Sequence, residues 1–252
     1  MSLQQVRSNV DLQEPISKRT LTTRESIILL QSSKLNGCTH PPWNSRPDWA
    51  EFCQGAFYED DIPYTLSDVQ RRDLEGWQRA GTIKRHADMS SSTAAEKATT
   101  AAVPDLVQDV TADCSVVASL TAMTGRPSSK VYTLWAHVFH PWDNVRQEPA
   151  VSHSGKYVFR LYFNGCYRKV IIDDRLPTTK TDRKIHVIDR NCPSNMWPAL
   201  LEKAYLKVRG GYDFPGSNSG TDLWVLTGWI PEQCFLQRCV GSSSAYFNRT
   251  ID

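Results

Sequence analysis

The sequence predicts an α+β fold, and three stretches carry that prediction. Residues 113–123 (DCSVVASLTAM) are apolar with helical spacing. Residues 156–173 hold two runs rich in Val, Ile, Phe and Tyr around Asn164-Gly165. Residues 195–208 (NMWPALLEKAYLKV) are amphipathic at helical spacing. The order helix, hairpin, helix argues α+β.

Each element has a local reason. Residues 1–20 lack periodicity and read as a disordered tail. Residues 22–35 allow a short helix with Ile27, Leu30 and Leu35 on one face, and Pro41-Pro42, Asn44 and Pro47 make 37–49 an extended loop. Residues 67–79 read as a helix, with Ser67 as N-cap and Leu74 and Trp77 at i, i+3. The Ser/Thr/Ala-rich stretch 89–102 has no large apolar residue except Met89 and reads as a mobile insertion. Asp113 suits the N-cap of the first long helix, and Val116, Leu120 and Met123 line one side of it. Asn164-Gly165 favours a two-residue hairpin turn, since both central residues need positive φ. In the last helix Asn195 is the expected N-cap, Pro198 sits in the first turn, and Gly210-Gly211 ends it. The Gly- and Trp-containing stretch 216–229 reads as packed loops.

Composition excludes several classes. Lys+Arg at 29 against Asp+Glu at 27 leaves a net charge of +2, without the basic excess a nucleic-acid partner demands. The longest aliphatic run, residues 27–30, is far short of the ~20 residues that span a bilayer. Residues 1–20 carry no apolar signal-peptide stretch. The seven cysteines are odd in number and scattered, without a C-x-x-C pair, and Cys38 with His40 lacks the second half of a zinc site. They read as reduced thiols of a cytoplasmic protein.

Cys114 differs from the other six by position. At the predicted start of a buried helix, its thiolate faces the positive end of the helix dipole, which favours nucleophilic attack. The open backbone N–H groups there can hold an oxyanion, and Gln108, six residues upstream, offers a side-chain amide as a second donor. Set against this, cysteine is among the commonest buried residues, and burial alone accounts for many of them.

The run Asp105-Leu-Val-Gln108 followed by Asp113-Cys-Ser-Val-Val-Ala-Ser-Leu120 resembles the nucleophile motif of the calpain family of cysteine proteases. Residues 170–178 (VIIDDRLPT) resemble that family's strand and exit loop. Residues 197–212, from Trp197 to Gly210-Gly211-Tyr212, resemble its long helix, and 227–230 (TGWI) the loop that follows. Ser115 stands where Trp usually follows the calpain cysteine, and Ala112 where Gly is usual. With residues 33–37 (SKLNG), 41–43 (PPW) and 214–222 (FPGSNSGTD), this is similar to the fungal PalB/Rim-pathway branch. The resemblance implies a papain-like catalytic core, with Cys114 as nucleophile and Gln108 in the oxyanion hole. It implies a protein substrate, work in ambient-pH signalling on endosomal ESCRT machinery, and a cytoplasmic, endosome-associated location.

The family also needs a His base and an orienting Asn downstream, in motifs like Gly-His-Ala-Tyr and Asn-Pro-Trp. His137, His140, His153 and His186 follow Cys114, and none lies in such a motif. His186 reads as a surface or satisfied core histidine. The expectation is therefore the nucleophile-bearing, mostly helical subdomain alone, with one hairpin: residues 67–238, preceded by a tail and linker over 1–66 and followed by an unrelated tail over 239–252. Calpain cores also hold calcium through oxygen ligands. Asp105 matches one acidic ligand, while Asn195 takes the place of the other and Thr100 that of a Gly, so the sequence argues for no cofactor. A rival reading is a non-catalytic, protease-derived interaction module at the endosome.

Overall fold

The computed structural model describes residues 19–53, 56–60, 64–83, 104–124, 135–145, 148–181 and 183–232. The expected mobile insertion at 89–102, the C-terminal tail at 239–252 and nearly all of the N-terminal tail lie outside the described residues.

The chain begins with α1 (Thr23–Gln31), where Thr22 and Glu25 form a reciprocal capping box. Ile27 and Leu30 of α1 face solvent, 48% and 64% exposed, so the apolar face read from the sequence is not a buried one. A small hairpin, β1 (Lys34–Leu35) and β2 (Cys38–Thr39), leads to a Pro-rich stretch and to α2 (Ala50–Cys53). The segment expected to be extended linker is docked. Trp43 is buried with Phe52 and Val158, and its N–H bonds to the Tyr167 carbonyl at 2.7 Å.

The expected helix at 67–79 is only half helix. Ser67 caps α3 (Asp68–Asp73), again with a capping box through Gln70, but the chain then extends as β3 (Leu74–Arg79). Leu74 and Trp77 allow either state. The decision comes from residues 175–179, which satisfy the backbone of β3 in an antiparallel ladder from Arg175↔Arg79 to Thr179↔Leu74.

Next come β4 (Leu106–Val107), α4 (Cys114–Thr124), β5 (Phe139–His140), β6 (Trp142–Asp143) and β7 (Glu148–Pro149). The hairpin is as expected. Strands β8 (Lys156–Phe163) and β9 (Cys166–Asp173) pair in unbroken register across Asn164 and Gly165, at φ +48° and +82°. Strand β5 extends this sheet on the β8 side. After β10 (Arg175–Thr179), a two-residue strand β11 (Ile188–Asp189) pairs with β4.

Helix α5 (Trp197–Arg209) is the centre of the molecule. It is buried from Pro198 to Val208 on every side, including Glu202, Lys203 and Lys207, where the sequence reads as one apolar face. The charges are accommodated by partners. Lys203 Nζ binds the Asp173 carboxylate and the Arg175 carbonyl, and Lys207 Nζ binds Asp60 Oδ2 at 2.6 Å. Asn195 is not the N-cap. Met196 holds that place without a side-chain bond, and the Asn195 amide turns instead to Asp189 Oδ2 at 3.3 Å. Gly210, at φ +104°, closes the helix as its sequence predicts.

The stretch read as packed loops contains α6 (Ser219–Thr227). Asn218 caps it through Thr221 N, and Gly228 ends it at φ +74°. Gly220 lies in its first turn and Gly228 marks its C-terminal end. A side chain at Gly228 would meet the Tyr167 hydroxyl, so glycine is required there for space as well as for φ.

Candidate active site

Cys114 is the first residue of α4, and its side chain is exposed. The helix starts there because the Asp113 carbonyl accepts from Val116 N at 2.8 Å and Val117 N at 3.0 Å, closing the first turn. The N–H groups of Cys114 and Ser115 are not among those bonds and lie at the open end of the helix. Beyond the first turn the helix is anchored by Val116, Leu120 and Met123, all in the core beside α5 and α6. An exposed thiol thus sits on a rigid, buried support.

The Asp113 carboxylate does not cap. Its residue is fully buried, and neither carboxylate oxygen meets a donor N–H. It lies in the interior, where burial raises its carboxyl to about 6.

Gln108 follows β4 on the loop that leads into α4. Its Nε2 donates to the Thr111 carbonyl at 2.5 Å, which folds the side chain back along the loop instead of out to solvent. Thr111 is itself fixed. Its hydroxyl donates to the Ile185 carbonyl at 2.5 Å and accepts from Gln70 Nε2 at 3.3 Å, and Gln70 also reaches the Tyr212 carbonyl at 3.0 Å. Arg183 clamps Asp109 through both carboxylate oxygens at 2.7 and 2.8 Å. One N–H of the Gln108 amide is used in this way, and the other remains as a donor. The sequence reading did not find Gln70 or Thr111, because their roles depend on partners far away in the chain.

None of the four downstream histidines hydrogen bonds to Cys114 among the described residues. His186 is a satisfied core histidine, with Nδ1 at 3.0 Å from the Val187 carbonyl, and burial lowers its pKa. His140 is buried and stacked on Trp43 at 5.2 Å, and burial pulls it down to about 3. His137 is buried with Nδ1 at 3.4 Å from the Arg46 guanidinium. His153 is exposed in the turn before β8, with its N–H on the Phe52 carbonyl.

Asp105, the residue matched to a calcium ligand, is half of an ion pair. Arg190 binds its Oδ2 through both Nε and Nη2 at 2.8 Å. Its backbone N–H donates to Asp189 Oδ1 at 3.1 Å. A guanidinium already neutralises this carboxylate, and Asn195 presents an amide N–H, not an oxygen, to Asp189. A calcium ion takes six to eight oxygens, and the Asp105 carboxylate it would draw on is paired with a guanidinium in this structure. Among the described residues no group of three His, Cys, Asp or Glu is arranged to hold a metal.

Residues 58–244 match the calpain family cysteine protease profile, a span that includes α4, the hairpin and α5. The chain belongs to the calpain family. It is 51% identical over 230 residues to the calpain-like protease palB of Emericella nidulans, covering 89% of this chain and 27% of that protein. It is 50% identical over 232 residues to palB/cpr-8 of Neurospora crassa, covering 88% and 24%. It is also 35% identical over 215 residues to human calpain-7, covering 84% and 25%. The chain thus spans about a quarter of the length of these calpain-family relatives. Among the described residues no helix is long and apolar enough to cross a membrane.

Proposed function

We propose that this chain carries the nucleophile-bearing part of a calpain-type cysteine endopeptidase. The observation that supports this most is an exposed thiol on the first residue of a buried helix, beside a side-chain amide fixed by the loop that enters that helix. The Cys114 thiolate attacks the carbonyl carbon of a substrate peptide and forms the C–S bond. The free N–H of the Gln108 amide and the Cys114 backbone N–H receive the developing oxyanion. The thiol proton passes to a general base and then to the leaving amine as the C–N bond breaks. Water afterwards releases the acyl group. His137, His140 and His186 are committed elsewhere and His153 is exposed in the turn before β8, so the base is assigned to none of them.

We read the described residues as the Cys-bearing half with its hairpin, a reading supported by the absence of a histidine hydrogen bonded to Cys114 among them. The identity with the palB proteins supports proteolysis of a protein substrate, and we place that work in ambient-pH signalling at endosomal machinery because the sequence resemblance implies it.

Two tests follow. Brief iodoacetamide treatment of the folded protein near neutral pH, read by mass spectrometry, is expected to label Cys114 first. Cys38 and Cys166 are buried, which slows them and raises their thiol pKa. Protection of Cys114 throughout would remove the nucleophile assignment. Calcium, for its part, should not be needed for the fold. Millimolar calcium is expected to leave the melting temperature unchanged, and a rise of more than about 2 °C would mean that a cation displaces Arg190 from Asp105.

A further inference from the structure

A side-chain amide serves an oxyanion only with its nitrogen end forward. One end of the Gln108 amide donates and the other accepts, and the two are nearly the same size. With Nε2 towards the reacting carbonyl, an N–H meets the developing charge; with Oε1 there, a second oxygen repels it. Gln108 is only half-buried on its loop, so shape alone does not choose between the two ends.

The choice is made by Thr111. Its backbone carbonyl accepts from Gln108 Nε2 at 2.5 Å, and Oε1 in that place would set two acceptors against each other. The bond therefore fixes which end of the amide carries the free N–H.

Thr111 is itself held from within the protein. Gln70 Nε2 donates to its Oγ1 at 3.3 Å, and Oγ1 donates to the Ile185 carbonyl at 2.5 Å. The direction of both bonds follows from Gln70, which lies on α3, 41 residues earlier in the chain. Gln70 Oε1 accepts from the Ser67 N–H at 2.9 Å, and Nε2 donates to the Tyr212 carbonyl at 3.0 Å. A backbone N–H only donates and a carbonyl only accepts, so the Gln70 amide has one permitted orientation. Its nitrogen must then donate to Thr111, which leaves the single hydroxyl proton of Thr111 for Ile185. On the outer side, Val110 N donates to the Lys184 carbonyl and Lys184 N to Asp109 Oδ2, so the loop is laid along residues 183–185. Those outer contacts border solvent, whereas Gln70 and Thr111 are both 2% exposed.

We propose that Gln70 and Thr111 are positioning residues for Gln108: their buried hydrogen bonds fix the Thr111 carbonyl, and that carbonyl selects the N–H end of the Gln108 amide for the oxyanion. This role rests on reading Cys114 as the nucleophile and Gln108 as its oxyanion donor.

Addition of a peptide aldehyde isolates the role, because it forms the tetrahedral oxygen without a leaving amine. The Cys114 sulfur bonds to the aldehyde carbon, the carbonyl π pair moves to oxygen, and the proton lost by the thiol reaches that oxygen through solvent. No group leaves, so no base has to protonate an amine. The adduct oxygen takes the place of the oxyanion and accepts the Gln108 N–H. Iodoacetamide instead loses iodide from a saturated carbon, makes no such oxygen, and reports the thiol alone.

The experiment uses the full chain and N-acetyl-leucyl-leucinal labelled with carbon-13 at the aldehyde, with the adduct followed by NMR and Cys114→Ala as the blank for the other thiols. The wild-type adduct is expected to be about tenfold or more tighter than that of N-acetylcysteine, and Gln108→Ala to weaken it about tenfold, as for one lost hydrogen bond. Thr111→Val should weaken it about fivefold and Thr111→Ser should not. The double variant Gln108→Ala/Thr111→Val should be no weaker than Gln108→Ala alone, because Thr111 acts through Gln108. Alkylation of Cys114 by iodoacetamide should keep the wild-type rate throughout. If Thr111→Val does not fold, Gln70→Met, which removes the donor to Thr111, replaces it with the same expectations.

Wild-type affinity in folded Thr111→Val beside a weakened Gln108→Ala would overturn the positioning role and leave the oxyanion donor standing. Losses that add in the double variant, or alkylation that slows in step with adduct affinity, would overturn it as well. Undiminished affinity in Gln108→Ala would overturn the donor itself. A wild-type adduct no tighter than that of N-acetylcysteine would overturn the nucleophile, and the positioning role falls with either.

Discussion

The purified polypeptide of residues 1–252 should cleave an unfolded protein no faster than its Cys114→Ala variant, with or without calcium. A thiolate at a helix end can attack a peptide carbonyl, but the leaving amine must then be protonated. A base has to lie within hydrogen-bond reach of the sulfur to take the proton and return it. His186 and His140 are buried and held neutral, His137 lies against Arg46, and His153 sits in the turn before β8. Losing general acid–base help costs roughly 10²–10⁴-fold. Because nucleophile and base act as a unit, most of the benefit of the remaining groups goes with it. Turnover well above background that disappears in Cys114→Ala would show that one of these four histidines serves as the base.

The parts of the fold legible in the sequence are those decided locally. Asn164-Gly165 dictates its own turn geometry, so the β8–β9 hairpin follows from a dipeptide and two β-rich runs. Helices α4 and α5 follow from spacing, and the place of Cys114 at the start of α4 follows with them. What could not be read was settled by distant partners. Residues 74–79 became a strand because β10, some hundred residues later, supplies the ladder. Helix α6 was hidden because Gly220 and Gly228 read as loop residues, although one lies within the helix and the other caps it.

The same limit applies to the candidate site. Asp113 is a sound N-cap by residue type, and Glu202 reads as the wet face of an amphipathic helix. Only the burial of α5 on all sides takes Glu202 out of solvent, and Asp113 is buried without a donor N–H instead of capping α4. Gln108 was legible as a possible donor, but the hydrogen bonds through Thr111 and Gln70 that orient it were not.

Arg168→Leu is expected to be the most destabilising single substitution outside the apolar core, by about 3–5 kcal/mol in chemical denaturation. Arg168 is fully buried on β9, and every acceptor it meets is neutral. Nε donates to the Phe163 carbonyl at 3.0 Å. Nη1 reaches Leu29 O, Ser33 Oγ and His40 O at 3.3, 2.9 and 3.1 Å, and Nη2 reaches Ser32 Oγ and Asn164 O at 2.8 and 2.9 Å. One guanidinium thus ties the end of α1, the β1–β2 hairpin and the β8–β9 turn to a single point. Leucine fills much of the volume but leaves those carbonyls without a donor, at about 1–3 kcal/mol for each that water cannot reach. Lysine keeps the charge, yet its single ammonium cannot span acceptors on both sides of the guanidinium plane, so Arg168→Lys should fall between the two. Hydrogen exchange should lose protection first in α1 and β1–β2, which Arg168 holds from outside the main core. Alkylation of Cys114 should stay at the wild-type rate wherever the variant remains folded, because α4 is anchored by α5 and α6 and not by this staple. A loss of less than about 1 kcal/mol would mean that water replaces the guanidinium at most of its acceptors.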